Sequence, residues 1–149
     1  MCIDDYGTKA VTTAPELVLV RGLPGSGKST FARTMKSHIH IEQDMFFMQP
    51  DGSYLYDDLK MQKAINWCQN RTRNALLQGH NVVVANTFCR GLEWECYVGM
   101  AINIGASLRF VEAVGCYQTL HNVPVERIER MRARWETLPS VFEKATTLS

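Results

Sequence analysis

The sequence has no apolar run long enough to cross a bilayer, and no charged, apolar and small-residue signal opens it. A soluble, cytoplasmic setting without a membrane partner is therefore expected. Net charge is also lacking: 16 Lys and Arg stand against 15 Asp and Glu, for a formal +1. A chain so balanced does not hold nucleic acid by bulk charge, and any basic surface must be local. The five cysteines (Cys2, Cys68, Cys89, Cys96 and Cys116) are odd in number and form no C-x-x-C. Neither they nor His38, His40, His80 and His121 have metal-ligand spacing, which excludes a zinc motif and leaves free thiols in a reducing compartment as the simplest account. Repeats, low-complexity tracts and linkers are absent, so one compact domain from residue 16 to 149 is expected, behind a loose polar arm at 1–15.

What is present centres on Val18-Leu-Val-Arg-Gly-Leu-Pro-Gly-Ser-Gly-Lys-Ser-Thr30. An apolar run, then G-x-x-x-x-G-K-S, then a helical pattern, is the phosphate-binding loop signature. Gly22, Gly25 and Gly27 allow backbone shapes that turn successive N–H groups toward an anion. Leu23, Pro24 and Ser26 complete the loop, and Thr30 follows it. Lys28 is expected to reach the β- and γ-phosphates of ATP, and the Ser29 hydroxyl to ligate Mg²⁺.

The rest of the chain alternates. Glu16 to Arg21 reads as a doubly buried strand, and Lys28 to His38 as a helix. His38 to Glu42 reads as a short strand ending in Gln43-Asp44. After an aromatic, turn-rich stretch, a helix is expected from Asp57 to Gln78, and a β-branched central strand at Asn81–Ala85 that leads into Asn86-Thr87. A helix from Leu92 to Ile104, a strand from Ser107 to Val114 and a charged helix from Pro124 to Trp135 follow. The order β-α-β-α-β-α-β-α predicts an α/β fold, a P-loop kinase-like three-layer arrangement with a parallel sheet flanked by helices. Ligands in such sheets bind at the C-terminal strand ends, where the phosphate loop, Asp44 and Thr87 all fall.

Phosphoryl transfer needs a carboxylate to take the acceptor's proton, and Asp44 is the candidate; it could also hold a water on Mg²⁺. Phe46, Phe47, Tyr54 and Tyr56 lie where an acceptor would dock, with Phe46 or Phe47 expected in the core and Tyr54 and Tyr56 as substrate contacts. On the last helix Pro124, Ile128, Met131 and Trp135 form an apolar stripe. Arg127, Arg130 and Arg134 share a neighbouring face that could clamp phosphates. Many nucleoside triphosphatases place an Asp at a strand end to orient Mg²⁺; the corresponding place here holds Ala85 and Asn86.

Together these pieces resemble the P-loop kinases of the polynucleotide 5′-hydroxyl kinase type, which include phage end-healing kinases, kinase-like domains of animal ubiquitin-ligase-binding proteins and phage kinases acting on 5-hydroxymethyluracil in DNA. The resemblance runs from about Leu17 to Pro139. It rests on residues 21–30, Gln43-Asp-Met-Phe-Phe47 with Asp51-Gly-Ser-Tyr54, Trp67-Cys-Gln-Asn-Arg71, Asn86-Thr87 with Trp94-Glu95, and Arg130-Met-Arg-Ala-Arg134. It implies Asp44 as general base, Thr87 facing phosphates or acceptor, and Arg130 and Arg134 as catalytic lid arginines over ATP. Ala85, Phe88 and Gln43 depart from the family's Asp, Asn and Arg or Asp.

The leading expectation is an ATP-dependent kinase acting on a hydroxyl of a nucleic acid or nucleotide. A kinase of a small metabolite or nucleoside, and a nucleotide-binding regulatory module with little turnover, are the alternatives. The absence of an Asn-Lys-x-Asp motif speaks against a GTPase.

Overall fold

The computed structural model describes residues 14–115 and 123–139 and the backbone of 146–148. Most of the expected N-terminal arm thus lies outside the described residues. Among the described residues five parallel strands form the sheet: β1 (Glu16–Arg21), β2 (His38–Ile41), β3 (Asn81–Asn86), β4 (Ser107–Ala113) and β5 (Thr146–Leu148), in the order β2-β3-β1-β4-β5. The helices are α1 (Lys28–Thr34), α2 (Met61–Leu77), α3 (Gly91–Ile104) and α4 (Val125–Ala133).

Parallel strands covered on both sides are apolar on both sides. In β1, Leu17 to Val20 are all wholly buried, as are Val82 to Val84 in β3. Alternation divides them. Leu17, Leu19, Val82, Val84 and Phe110 join the larger core under α2 and α3; Val18, Val20, Val83, Ala85 and Val111 pack against Ala32 of α1. The result is the three-layer α/β fold. Each fully buried aliphatic side chain contributes about 1.5–3 kcal/mol, so the sheet centre holds most of the stability.

The structure corrects several boundaries. Helix α1 ends at Thr34 rather than near His38, since Met35 leaves helical geometry before β2 starts at His38. The long helix begins with a 3₁₀ turn at Asp58–Lys60, whose start Asp57 caps by accepting from the Leu59 N–H (3.0 Å), and becomes α-helical at Met61. Helix α3 stops at Gly105, which takes the left-handed conformation (φ 80°) expected of a glycine stop. Strand β5 was not expected; it extends the sheet beyond β4.

The topology positions the site. β1 lies between β3 and β4, so the chain leaves β1 toward one side and later crosses it to the other. Such a reversal opens a crevice at the C-terminal ends of the strands.

Candidate active site

The phosphate loop fills the turn from β1 into α1. Gly25 (φ 81°) and Gly27 (φ 97°) hold conformations that side chains with a Cβ resist. Gly22 is required for a different reason: a Cβ there would stand 2.2 Å from Ser26 Oγ and 2.8 Å from the Ala113 carbonyl. The Ser26 N–H donates to Leu23 O (3.1 Å) and the Gly22 N–H to Thr87 O (3.3 Å), which ties the loop to the end of β3. The Ser26 hydroxyl is buried, with no hydrogen-bond partner among the described residues. The Lys28 ammonium donates to Leu23 O at 3.1 Å. Burial pulls it down to about 8, against the nearby Glu42 and Asp44 carboxylates, which favour the charged form.

A cleft of about 690 Å³ opens over this loop. Of the residues singled out from sequence, Pro24, Gly25, Gly27, Lys28, Ser29, Thr30, Asp44, Tyr54, Tyr56 and Thr87 line it together. Gly22, Leu23 and Ser26 are not in its wall, and their part is to shape the loop. Arg130 and Arg134 are exposed and do not line the cleft either; Arg134 Nε instead donates to the Arg130 carbonyl (3.4 Å). The arginine that α4 turns into the cleft is Arg127. It donates to the Tyr56 hydroxyl (2.5 Å), its guanidinium lies 4.7 Å from the centre of that ring, and it faces Asp58 at 3.9 Å. The apolar stripe explains this: Pro124 and Met131 also line the cleft, which fixes which neighbouring arginine follows them in.

The tip of β2 carries the acidic groups. Asp44, in a short 3₁₀ helix (Gln43–Phe47), is exposed to the cleft and accepts from the Tyr54 hydroxyl at 3.0 Å. Phe47 is buried and both tyrosines rest on it, with ring centres 6.2 Å away for Tyr54 and 5.1 Å for Tyr56. Burial and then the Asp44 charge push the Tyr54 hydroxyl up, so it remains a donor. Glu42, unremarked in the sequence, also lines the cleft. Its carboxylate bonds His40 Nε2 (2.5 Å) and lies against the Ser29 hydroxyl. Burial would raise it, but His40, Ser29 and Lys28 outweigh that and hold it below the usual carboxylate range. Strand alternation could have pointed to it: His38, His40 and Glu42 fall on one side of β2.

The tip of β3 is built for support. Asn86 Oδ1 accepts from the Gln43 N–H (2.9 Å), and its amide faces Cys68 Sγ at 3.7 Å. Phe88, next to Thr87, is buried and left-handed (φ 48°), a conformation that Asn tolerates better. Arg21, at the end of β1, fixes it. Wholly buried, Arg21 donates to the carbonyls of Phe88 (3.0 and 3.1 Å) and Glu136 (2.7 Å) and pairs with Glu112 (3.2 Å). Trp135 lies 3.8 Å from its guanidinium and Trp94 4.9 Å. Arg21 therefore ties the loop after β3 to the end of α4. Sequence reading missed it because its partners come from distant segments.

The donors around Ser29 suit Mg²⁺, a hard cation that takes oxygen ligands. The Ser29 hydroxyl and the carboxylates of Glu42 and Asp44 line the same cleft, with no imidazole or thiolate in its wall among the described residues. No helix among those residues is long and apolar enough to cross a membrane, and Cys68, Cys89 and Cys96 are free thiols.

Comparison with known proteins agrees with this architecture. Human NEDD4-binding protein 2 is 30% identical over 139 residues, a match covering 84% of this chain but only 8% of that protein's length. The Pnkp1/Rnl/Hen1 RNA repair complex superposes with a TM-score of 0.57 at 21% identity, over 90% of this chain and 44% of the matched one. The APS kinase CysC of Mycobacterium tuberculosis, in complex with AMPPNP and APS, gives 0.53 at 17%, over 78% and 68%. Both likenesses are of fold alone. A family model described as an AAA domain matches residues 17–137, and with its phosphate loop, parallel sheet and cleft the chain belongs to that P-loop family.

Proposed function

We propose that this chain is an ATP-dependent phosphotransferase that moves the γ-phosphoryl group to a hydroxyl of a nucleic acid or nucleotide. One observation carries the reading: a single cleft gathers the phosphate loop, with Lys28 and Ser29, and the Asp44 carboxylate. Residues 16–149 act in it as one domain, in a reducing, cytoplasmic setting.

In the proposed reaction the loop amides and Lys28 hold the β- and γ-phosphates. Ser29 and the Glu42 and Asp44 carboxylates would hold Mg²⁺, which would supply charge neutralisation there. The acceptor oxygen attacks the γ-phosphorus while the bond from that phosphorus to the β–γ bridging oxygen breaks, and ADP departs with the electron pair. The acceptor's proton passes to the Asp44 oxygen that Tyr54 does not occupy; Tyr54 keeps the carboxylate turned to the cleft. Arg127 is the lid arginine of the geometry at hand; Arg130 and Arg134 contribute through a turn of α4. The ring faces of Tyr54 and Tyr56 offer stacking surfaces for a base beside Asp44, and NEDD4-binding protein 2 and the RNA repair complex share the fold or family.

Transfer of labelled γ-phosphate from ATP across a panel tests this. The panel holds 5′-hydroxyl DNA and RNA, hydroxymethylated DNA and free nucleosides. Label on a nucleic acid or nucleotide supports the reading, and label on free nucleosides alone moves it to the small-molecule kinases, whose pockets the cleft volume also fits. ATP binding without any transfer would leave the regulatory module, the reading that the neutral Ala85 favours.

A further inference from the structure

The fold leaves an electrostatic gap where β3 meets the phosphate loop. Val83 and Ala85 face α1, so residue 85 is the β3 position turned toward the loop, and its methyl cannot hold a cation. Asn86 faces the other side of the sheet, where its amide is engaged by Gln43 and Cys68. The negative charge that balances Mg²⁺ in many P-loop proteins is therefore missing from β3.

One strand over, the charge is present. β2 pairs with β3 in parallel, with His40 beside Val83 and Ile41 beside Val84. Continuing that register by one residue sets Glu42 beside Ala85, on the same side of the sheet as α1. Glu42 lines the cleft and lies against the Ser29 hydroxyl, while His40 holds its other flank at 2.5 Å. A carboxylate buttressed by one imidazole and lining the same cleft as the loop serine is preorganised for a cation with oxygen ligands.

We propose that Glu42 and Ser29 together hold the Mg²⁺ that accompanies the nucleotide, Glu42 supplying from β2 the charge that β3 has lost. Asp44, engaged by Tyr54, is thereby left for the proton. His40 is a positioning residue that fixes the Glu42 carboxylate. The inference rests on the proposed nucleotide binding, and it places the metal's acidic partner at a residue that the phosphate-loop motif does not include.

The test is binding by the full chain, not turnover. Mn²⁺ affinity of the protein–ADP complex is read by electron paramagnetic resonance, and ADP affinity by calorimetry with Mg²⁺ or with EDTA. All are run at mildly acidic pH, where Lys28 stays charged. Glu42→Gln is expected to weaken Mn²⁺ about 10–100-fold while ADP in EDTA binds as well as to wild type or better. Glu42→Asp keeps the charge and is expected to retain most of the metal dependence, and Ser29→Ala to lose it as Glu42→Gln does. Unchanged Mn²⁺ affinity in Glu42→Gln would overturn the proposal. So would an equal loss with and without metal, which would make Glu42 only a partner of Lys28. If Glu42→Gln does not fold, Glu42→Ala is read in its place: lost metal dependence there supports the proposal, and wild-type dependence in it or in Ser29→Ala overturns it. Wild type that binds no ADP under either condition defeats instead the nucleotide reading beneath it.

Discussion

The ends of β2 and β3 lie side by side at the same cleft and have opposite chemistry. β3 is an inner strand with Val82 to Val84 wholly buried, and it ends in a methyl and an amide committed to neighbouring groups. β2 is an edge strand, half-exposed along most of its length, and it ends in two carboxylates. An inner strand pays for charge with desolvation on both faces, whereas the edge keeps one flank near water. In this chain the inner strand's tip supports and the edge strand's tip acts.

The strongest way to break that contrast is to make β2 as neutral as β3 at the proton's destination. Asp44→Asn keeps the acceptor oxygen for Tyr54 and removes the base. Transfer should fall about 10²–10⁴-fold, the usual worth of general base catalysis, with ADP affinity at mildly acidic pH unchanged. Single-turnover transfer and calorimetry measure the two; wild-type transfer would remove Asp44 from the mechanism.

Next in size is the loop itself, which both strand tips face. Lys28→Ala should weaken ATP by about 1.5–3 kcal/mol, the range for a charged hydrogen bond. Calorimetry at fixed Mg²⁺ reads it directly, and undiminished affinity would mean that the triphosphate does not sit in the loop.

The complementary change falls on β3. Asn86→Ala strips the acceptor from the Gln43 N–H, a partly buried donor. Leaving it unmet should cost about 1–3 kcal/mol of stability, seen as a lower denaturation midpoint. Any loss of transfer should come through Asp44 geometry and leave metal dependence intact. A stable Asn86→Ala with altered Mn²⁺ affinity would mean that β3's tip touches the metal after all.

How far the sequence reveals this division depends on what each residue needs to be recognised. The phosphate loop is legible because its chemistry is local: glycines where φ turns positive, then lysine and serine. The strands are legible because double burial leaves apolar runs. Asp44 is legible because it follows a strand. Glu42 needs more, since its importance comes from lying beside Ala85, which requires the strand order. Arg21 needs Trp94, Trp135 and Glu136, brought together only by the complete fold. On α4 the sequence yields the stripe and its arginines, but the helix's seating against the cleft decides that Arg127, and not Arg130 or Arg134, faces in. Phe88 reads as a family departure, and its left-handed backbone shows what that departure strains.

The smallest expected effect supplies the control, because His38, at the other end of β2, forms a second histidine–glutamate pair with Glu16 of β1. His38 Nε2 bonds Glu16 at 2.8 Å, and Arg109 joins the same carboxylate at 3.2 Å. Burial raises Glu16, but His38 and Arg109 outweigh it and hold the carboxylate below its ordinary value. A depressed carboxylate stabilises the fold above its unfolded value of about 4.5 and loses that contribution as pH falls through the folded one. With Arg109 largely in solvent, the contribution should be at most about 1 kcal/mol. Glu16→Gln should therefore lower the denaturation midpoint slightly near neutral pH, converge with wild type in acid, and leave Mn²⁺ binding and transfer untouched. If Glu16→Gln altered metal binding as Glu42→Gln is expected to, the effect would belong to any carboxylate paired with a β2 histidine, and the two tips would no longer explain it.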